Sequence, residues 1–89
     1  MARFEIADID HASLGEAPAG ADAFFELGMM YSSGRSVPID YVTAHKWFNL
    51  AAMKGSQSAK EYRCDISREM SATQIAEAQR QARNWLTLN

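Results

Sequence analysis

The chain has 89 residues, a length that predicts one small domain and argues against a multidomain protein. Its hydrophobic share of 47% predicts a folded domain rather than a disordered chain, and its single cysteine excludes an internal disulfide framework. The net charge is −2, and the basic residues are interleaved with acidic ones, which argues against a nucleic-acid-binding surface.

Residues 1–20 form an acidic leader in which extended or partly disordered structure is expected. Residues 1–30 carry one basic and six acidic residues, whereas residues 31–89 carry eight basic and five acidic residues. The leader therefore either docks on its own domain or remains a solvated tail. It lacks the apolar core of a secretory signal, and no apolar run is long enough to span a bilayer. These features predict a cytoplasmic protein without a membrane segment.

The first predicted helix covers residues 21–33, where apolar residues recur at helical spacing. Its buried stripe is expected to hold Ala23, Leu27, Met30 and Tyr31, with Phe24 at the edge. The stretch "SSGRSVP" ends this helix because Gly34 can adopt a positive φ. Asp40 is then placed to cap a second helix over residues 40–54. Its predicted stripe consists of Tyr41, Ala44, Phe48, Ala51 and Ala52, flanked by Trp47.

The third and fourth helices are predicted over residues 57–69 and 72–87. Either Ser56 or Ser58 can cap the third helix, and Ser71 with Gln74 has the spacing of a capping box at the start of the fourth. The third stripe contains Ala59, Tyr62, Ile66 and Met70, and the fourth contains Ile75, Ala78, Ala82, Trp85 and Leu86. Short connections favour antiparallel neighbours, so an all-α fold of two antiparallel helix pairs is expected.

Small and large residues alternate along these stripes in a way that suits close helix packing. The alanines allow two backbones to approach, and bulky side chains such as Trp47, Phe48 and Trp85 fill the remaining space between the helices. The sequence from Gly28 to Gly55 therefore indicates packing rather than catalysis.

The segment "ADAFFELGMMYSSGRSVPIDYVTAHKWFNLAAMKG" resembles one Sel-1-like repeat, a relative of the tetratricopeptide helical repeats. The positions that carry the resemblance are Ala23, Leu27, Gly28, Tyr31, Gly34, Val37, Asp40, Ala44, Trp47, Ala51, Ala52 and Gly55. The resemblance implies a short right-handed α-solenoid whose first unit covers residues 21–55.

Residues 56–89 resemble a degenerate second unit that acts as a C-terminal cap. Ala59 keeps the first alanine of the repeat, but Arg63 and Cys64 occupy the positions of the leucine and glycine. The stretch "MSATQIAEAQRQARNWL" is similar to the closing helix of many bacterial members. The resemblance therefore covers about residues 21–86 and implies a bacterial, cytoplasmic interaction protein.

No group of side chains indicates catalysis, a metal site or a cofactor site. His11 and His45 lack a second ligand at metal spacing, so each is interpreted as a surface or packing residue. Cys64 is expected to be a packing residue, and Arg63 to pair with an acid or with helix carbonyls. The "SSGRS" stretch is interpreted as a polar turn rather than a phosphate loop.

A candidate partner surface is predicted on the first helix. Phe25 and Met29 are i, i+4 neighbours that are expected to point away from the core. In tetratricopeptide-like stacks this helix lines the inner face, and the equivalent face of the third helix offers Glu61, Asp65 and Arg68. The alternative is that apolar residues of the leader cover the patch in cis; these are Phe4, Ile6, Ile9 and Leu14.

The leading hypothesis is a non-catalytic adaptor or regulatory module that binds a protein partner on this inner face. The alternative is a structural element that self-associates as a homo-oligomer. An enzyme that uses Cys64 or His45 is the least favoured class. If the first helix does not bind, the interface is expected on the outer face of the second and fourth helices, around Val42, Met53 and Arg80.

Overall fold

The structure, a computed structural model, describes residues 20–88, and this part of the chain folds into four helices with no strand. They are α1 (Ala21–Ser33), α2 (Tyr41–Met53), α3 (Gln57–Ser67) and α4 (Ala72–Leu88). The prediction of an all-α fold is confirmed, and every helix end lies within two residues of its predicted position. The predicted leader lies outside the described residues, apart from Gly20.

Side-chain caps fix three of the helix starts. Asp40 accepts a hydrogen bond at 3.1 Å from the backbone N–H of Thr43, which confirms it as the N-cap of α2. At α3 the cap is Ser56, whose hydroxyl oxygen accepts from the N–H of Ala59 at 3.0 Å. The capping box at α4 is complete: the N–H of Ser71 donates to the Gln74 side chain at 2.9 Å, and the N–H of Gln74 donates to the Ser71 hydroxyl at 3.1 Å.

The ends of α1 and α2 are closed by backbone hydrogen bonds of the Schellman type. Gly34 adopts the predicted positive φ of 76°, which lets the N–H of Arg35 donate back to the carbonyl of Met30 at 3.0 Å. After α2, the N–H of Ser56 donates to the carbonyl of Ala51 at 3.0 Å. Each of these hydrogen bonds ends its helix and lets the chain change direction directly after it.

Helix α2 is the centre of the fold. It packs closely against α1, α3 and α4, whereas α3 and α4 contact each other only sparsely. Close packing of α1 on α2 and of α2 on α3 is consistent with a small solenoid-like arrangement of helices. The core therefore surrounds α2 rather than lying between two separate helix pairs.

The core combines alanines with aromatic rings, as the sequence predicts. Buried alanines on α2, α3 and α4 bring the backbones together: Ala44, Ala51, Ala59, Ala78 and Ala82. Phe48 and Leu50 are the largest fully buried side chains, and Phe24 and Ile66 complete the cluster. On one side of α2 the ring of Phe24 stacks on Trp47 and meets the edge of Trp85. Large and small residues thus interlock around the central helix.

Loss of the capping box should measurably destabilise the fold. Ser71→Ala removes the acceptor for the N–H of Gln74 and should lower the free energy of unfolding by about 1 kcal/mol. Urea denaturation measures this change. Ser58→Ala is the matched control, because Ser58 is an exposed residue inside α3 and does not cap that helix. Equal effects of the two substitutions would contradict a capping role for Ser71.

Candidate partner-binding surface

An aromatic surface joins α1 to α3. The ring of Tyr62 on α3 lies 5.6 Å from the ring of Phe25 on α1, and both contact Phe48 of α2, each with a centroid separation of 5.7 Å. Met29 is half-buried beside the same core cluster. Tyr62 keeps 41% of its surface exposed although its ring packs on two others. The result is an apolar surface in which the rings of Phe25 and Tyr62 both pack on the buried ring of Phe48.

The prediction that Phe25 and Met29 point away from the core is wrong. Both side chains are half-buried and pack against the core cluster. The buried residues of α1 are Phe24, Leu27 and Gly28, and Phe25 and Met29 flank this stripe on the Gly28 side. Because Gly28 has no side chain, the ring of Phe48 lies against the α1 backbone, where it also contacts Phe25.

Three charged residues of the predicted surface are exposed on α3 and at its C-terminal end. Glu61 and Asp65 belong to α3, and Arg68 is its C-cap. Arg68 donates to Asp65 at 2.8 Å in an exposed i, i+3 ion pair, which contributes about 0–1 kcal/mol to stability. Tyr62, which the sequence assigns to the core, is the residue that links this charged segment to Phe25.

A polar cluster is buried on another part of the α2–α3 contact. The Nε2 atom of His45 lies 3.2 Å from the hydroxyl oxygen of Ser67, and that hydroxyl donates to the carbonyl of Arg63 at 2.7 Å. The guanidinium of Arg63 donates to the amide oxygen of Asn49 at 2.6 Å. The side chains of α2 and α3 are therefore joined by two polar contacts beside the aromatic ones.

Only 3% of the surface of His45 is exposed, and its Nδ1 atom has no hydrogen-bond partner among residues 20–88. Burial lowers the pKa of His45 below its ordinary value of 6.5, the nearby charge of Arg63 lowers it further, and the backbone of His45 itself offsets part of this shift. Of the two predicted roles, surface or packing, the structure places His45 in the packing.

Two further predictions on α3 are wrong. Cys64 is exposed, so it is not a packing residue. Arg63 pairs with the amide of Asn49 instead of an acid or a helix carbonyl. Asn49 lies on the side of α2 that faces α3, so its amide oxygen can accept the hydrogen bond from Arg63. This tertiary contact explains why the prediction for Arg63 is wrong.

The far side of α2 carries a second aromatic group and a groove. Trp47 meets Trp85 edge to face, and the ammonium of Lys46 lies 4.4 Å above the Trp47 ring. Burial lowers the pKa of Lys46, an effect that Asp40 partly offsets.

Val42, one of the residues proposed for an alternative interface, lines a groove of about 450 Å³ that also borders α4. The sequence does not predict this groove, because the loop before α2 forms part of its wall.

The turn after α1 is exposed and polar, as interpreted from the sequence. Arg35 forms a 3.1 Å ion pair with Glu26 of α1, and Ser36 adopts a positive φ of 72°. Residues 20–88 contain no cluster of three or more histidines, cysteines or acids that could hold a metal ion. None of the helices in that range has the length and apolar character needed to cross a membrane.

Comparisons with known proteins found no matching family model, no matching curated protein and no matching solved structure.

Proposed function

We propose that this chain is a small, non-catalytic protein–protein interaction module, an adaptor or regulatory protein that works in the cytoplasm. It binds a partner helix or peptide on the aromatic surface of Phe25, Met29 and Tyr62. The observation that carries this proposal is the partial exposure of Tyr62 above two packed rings. The resemblance of residues 21–55 to a Sel-1-like repeat supports the same class of function.

The composition of this surface suits a protein partner. Tyrosine, phenylalanine and methionine are enriched in the centres of protein interfaces, and exposed charged residues form the polar rim. Here Glu61 and the Asp65–Arg68 pair supply the charges. Because Tyr62 and Phe25 already contact each other and Phe48, little side-chain freedom is lost on binding.

Glu61→Lys should separate binding from stability, and Tyr62→Ala tests the ring itself. Glu61→Lys reverses an exposed charge and should leave the free energy of unfolding within about 0.5 kcal/mol of wild type. Tyr62→Ala removes the exposed ring. Both variants should lose partner proteins that the wild-type chain captures from an extract of its source organism, as measured by affinity capture and quantitative mass spectrometry.

Arg83→Glu is the control, because Arg83 is exposed on α4, a helix that contacts α3 only sparsely. It should retain the same captured proteins. Retention by Tyr62→Ala and Glu61→Lys, both folded, would contradict the proposed surface. Tyr62→Ala loses its aromatic contacts with Phe25 and Phe48 and should itself destabilise the fold by roughly 1–3 kcal/mol, so Glu61→Lys is the variant that tests binding alone. Phe25→Ala would lose two such contacts as well.

Self-association is the second candidate, supported by exposed apolar residues outside the aromatic surface. Within residues 20–88 the large ones are Ile39 before α2, Met53 at the end of α2, and Leu86 and Leu88 on α4. Such residues can pack against a second copy of the chain. Light scattering of the purified protein distinguishes the two functions: a molecular mass that stays at that of the monomer at every concentration contradicts self-association.

A further inference from the structure

The hydrogen-bond pattern around His45 determines which nitrogen carries its proton. The hydroxyl of Ser67 has one hydrogen, and it donates this hydrogen to the carbonyl of Arg63 at 2.7 Å. Toward His45, at 3.2 Å, the same oxygen can therefore only accept. It follows that Nε2 carries the imidazole hydrogen. Nδ1 is then unprotonated, and its lone pair is buried without a hydrogen-bond donor among residues 20–88.

A second proton on this imidazole has little to stabilise it. Protonated Nδ1 would be a buried cationic donor, and within residues 20–88 the group that favours the charged ring is the backbone of His45 itself, whose contribution is smaller than the cost of burial. Arg63 of α3 is the charged group that acts on the ring, and its charge repels an imidazolium. Within residues 20–88, no charged group of α1 or α4 acts on His45 to offset this repulsion.

We propose that His45 is a pH-sensitive latch: α3 stays packed on α2 while the imidazole is neutral, and mild acid weakens that packing. The contact is suited to this role because His45 and Asn49 of α2 hold Ser67 and Arg63 of α3 through side-chain bonds. The polar cluster is distinct from the aromatic surface, so the latch does not depend on the proposed function.

The direction of the pH effect follows from the lowered pKa of His45. Near and below pH 6.5 the unfolded chain binds more protons at this residue than the folded chain, so stability falls as the pH falls from 6.5 toward the lowered pKa of the folded state. The folding equilibrium constant should decrease between pH 7.5 and pH 5.5 by up to about tenfold through this group alone. Carboxylates contribute little there, because their ordinary pKa values lie near 4.

The experiment compares urea denaturation of the full chain from pH 7.5 to pH 5.5 in three forms. Wild type and His11→Gln should both lose stability toward pH 5.5, whereas the curve of His45→Gln should be nearly flat. The chain has two histidines, so His11→Gln is the matched control. Parallel curves for wild type and His45→Gln would overturn the proposal.

NMR titration of the wild-type imidazoles gives a test that needs no folded variant. Before titration, the NMR spectrum of His45 should show the Nε2–H tautomer. The midpoint of its titration should lie below pH 6.5 or coincide with unfolding of the protein. A midpoint at or above 6.5 in the folded protein would overturn the latch. A spin label on Cys64, the one cysteine and an exposed residue of α3, should become more mobile in acid in wild type but not in His45→Gln.

Discussion

Phe48→Ala is expected to lower the free energy of unfolding by about 3–5 kcal/mol, the largest effect of any single truncation proposed for this chain. Phe48 is fully buried on the central helix. Its ring contacts Phe25 of α1 and Tyr62 of α3 and lies against the backbone at Gly28. Removing the ring therefore leaves a cavity where three helices meet, and no neighbour is free to fill it. Native proteins are stable by roughly 5–15 kcal/mol, so this single truncation should remove a large share of the stability.

The control for Phe48→Ala is Met53→Ala, a large-to-small change on the same helix. Met53 is 61% exposed, so its truncation should alter the free energy of unfolding by at most about 0.5 kcal/mol. Urea denaturation followed by circular dichroism measures both variants. Similar stability of the two would mean that Phe48 is not the centre of the packing.

The helix boundaries could be predicted from the sequence because local chemistry determines them. Asp40 and the Ser71–Gln74 pair each satisfy backbone N–H groups within three residues, and Gly34 reverses the chain without steric cost. None of these interactions needs a distant partner. The helix boundaries can therefore be predicted without knowledge of the tertiary structure.

The burial of His45 and Leu50 could not be predicted in this way. A single apolar stripe assumes that a helix packs on one side, but α2 packs against three other helices. His45 faces the α2–α3 contact, and Leu50 is buried with 1% of its surface exposed. Both residues lie off the predicted stripe because the sequence periodicity of one helix does not show how many neighbours it has.

The candidate surface was predicted in part, and the missing part again depends on tertiary packing. Phe25 does contribute to an apolar surface on α1, but it does so by packing on Tyr62 and Phe48. Cys64 is exposed for a related reason: α3 is covered by α2 along one face and only sparsely contacted by α4. Contacts between elements distant in sequence decide both outcomes.

The packing of α2 on α1 depends on Gly28. A Cβ atom at this position would lie 2.5 Å from two ring atoms of Phe48, well inside van der Waals contact. The ring has little room to withdraw because Phe48 is fully buried between Phe25 and Tyr62. The glycine thus leaves the space that the ring of Phe48 fills against α1.

Gly28→Ala should therefore destabilise the protein, although alanine is the better helix former. In an exposed helix this change stabilises by roughly 1 kcal/mol. Here overpacking against the fully buried ring should cost about 2–3 kcal/mol, and a net loss of about 1–2 kcal/mol is expected in urea denaturation.

Combining Gly28→Ala with Phe48→Leu tests this explanation, because the smaller leucine side chain makes room for the new methyl group at position 28. Alone, Phe48→Leu should destabilise by leaving space beside Gly28. Together, the two substitutions should cost less than the sum of their separate effects, with a coupling of about 0.5–3 kcal/mol in the double-mutant cycle. Additive effects would mean that the ring of Phe48 does not limit the side chain at position 28. A stabilising Gly28→Ala would mean that α1 and α2 can separate without loss, which is incompatible with the full burial of Phe48.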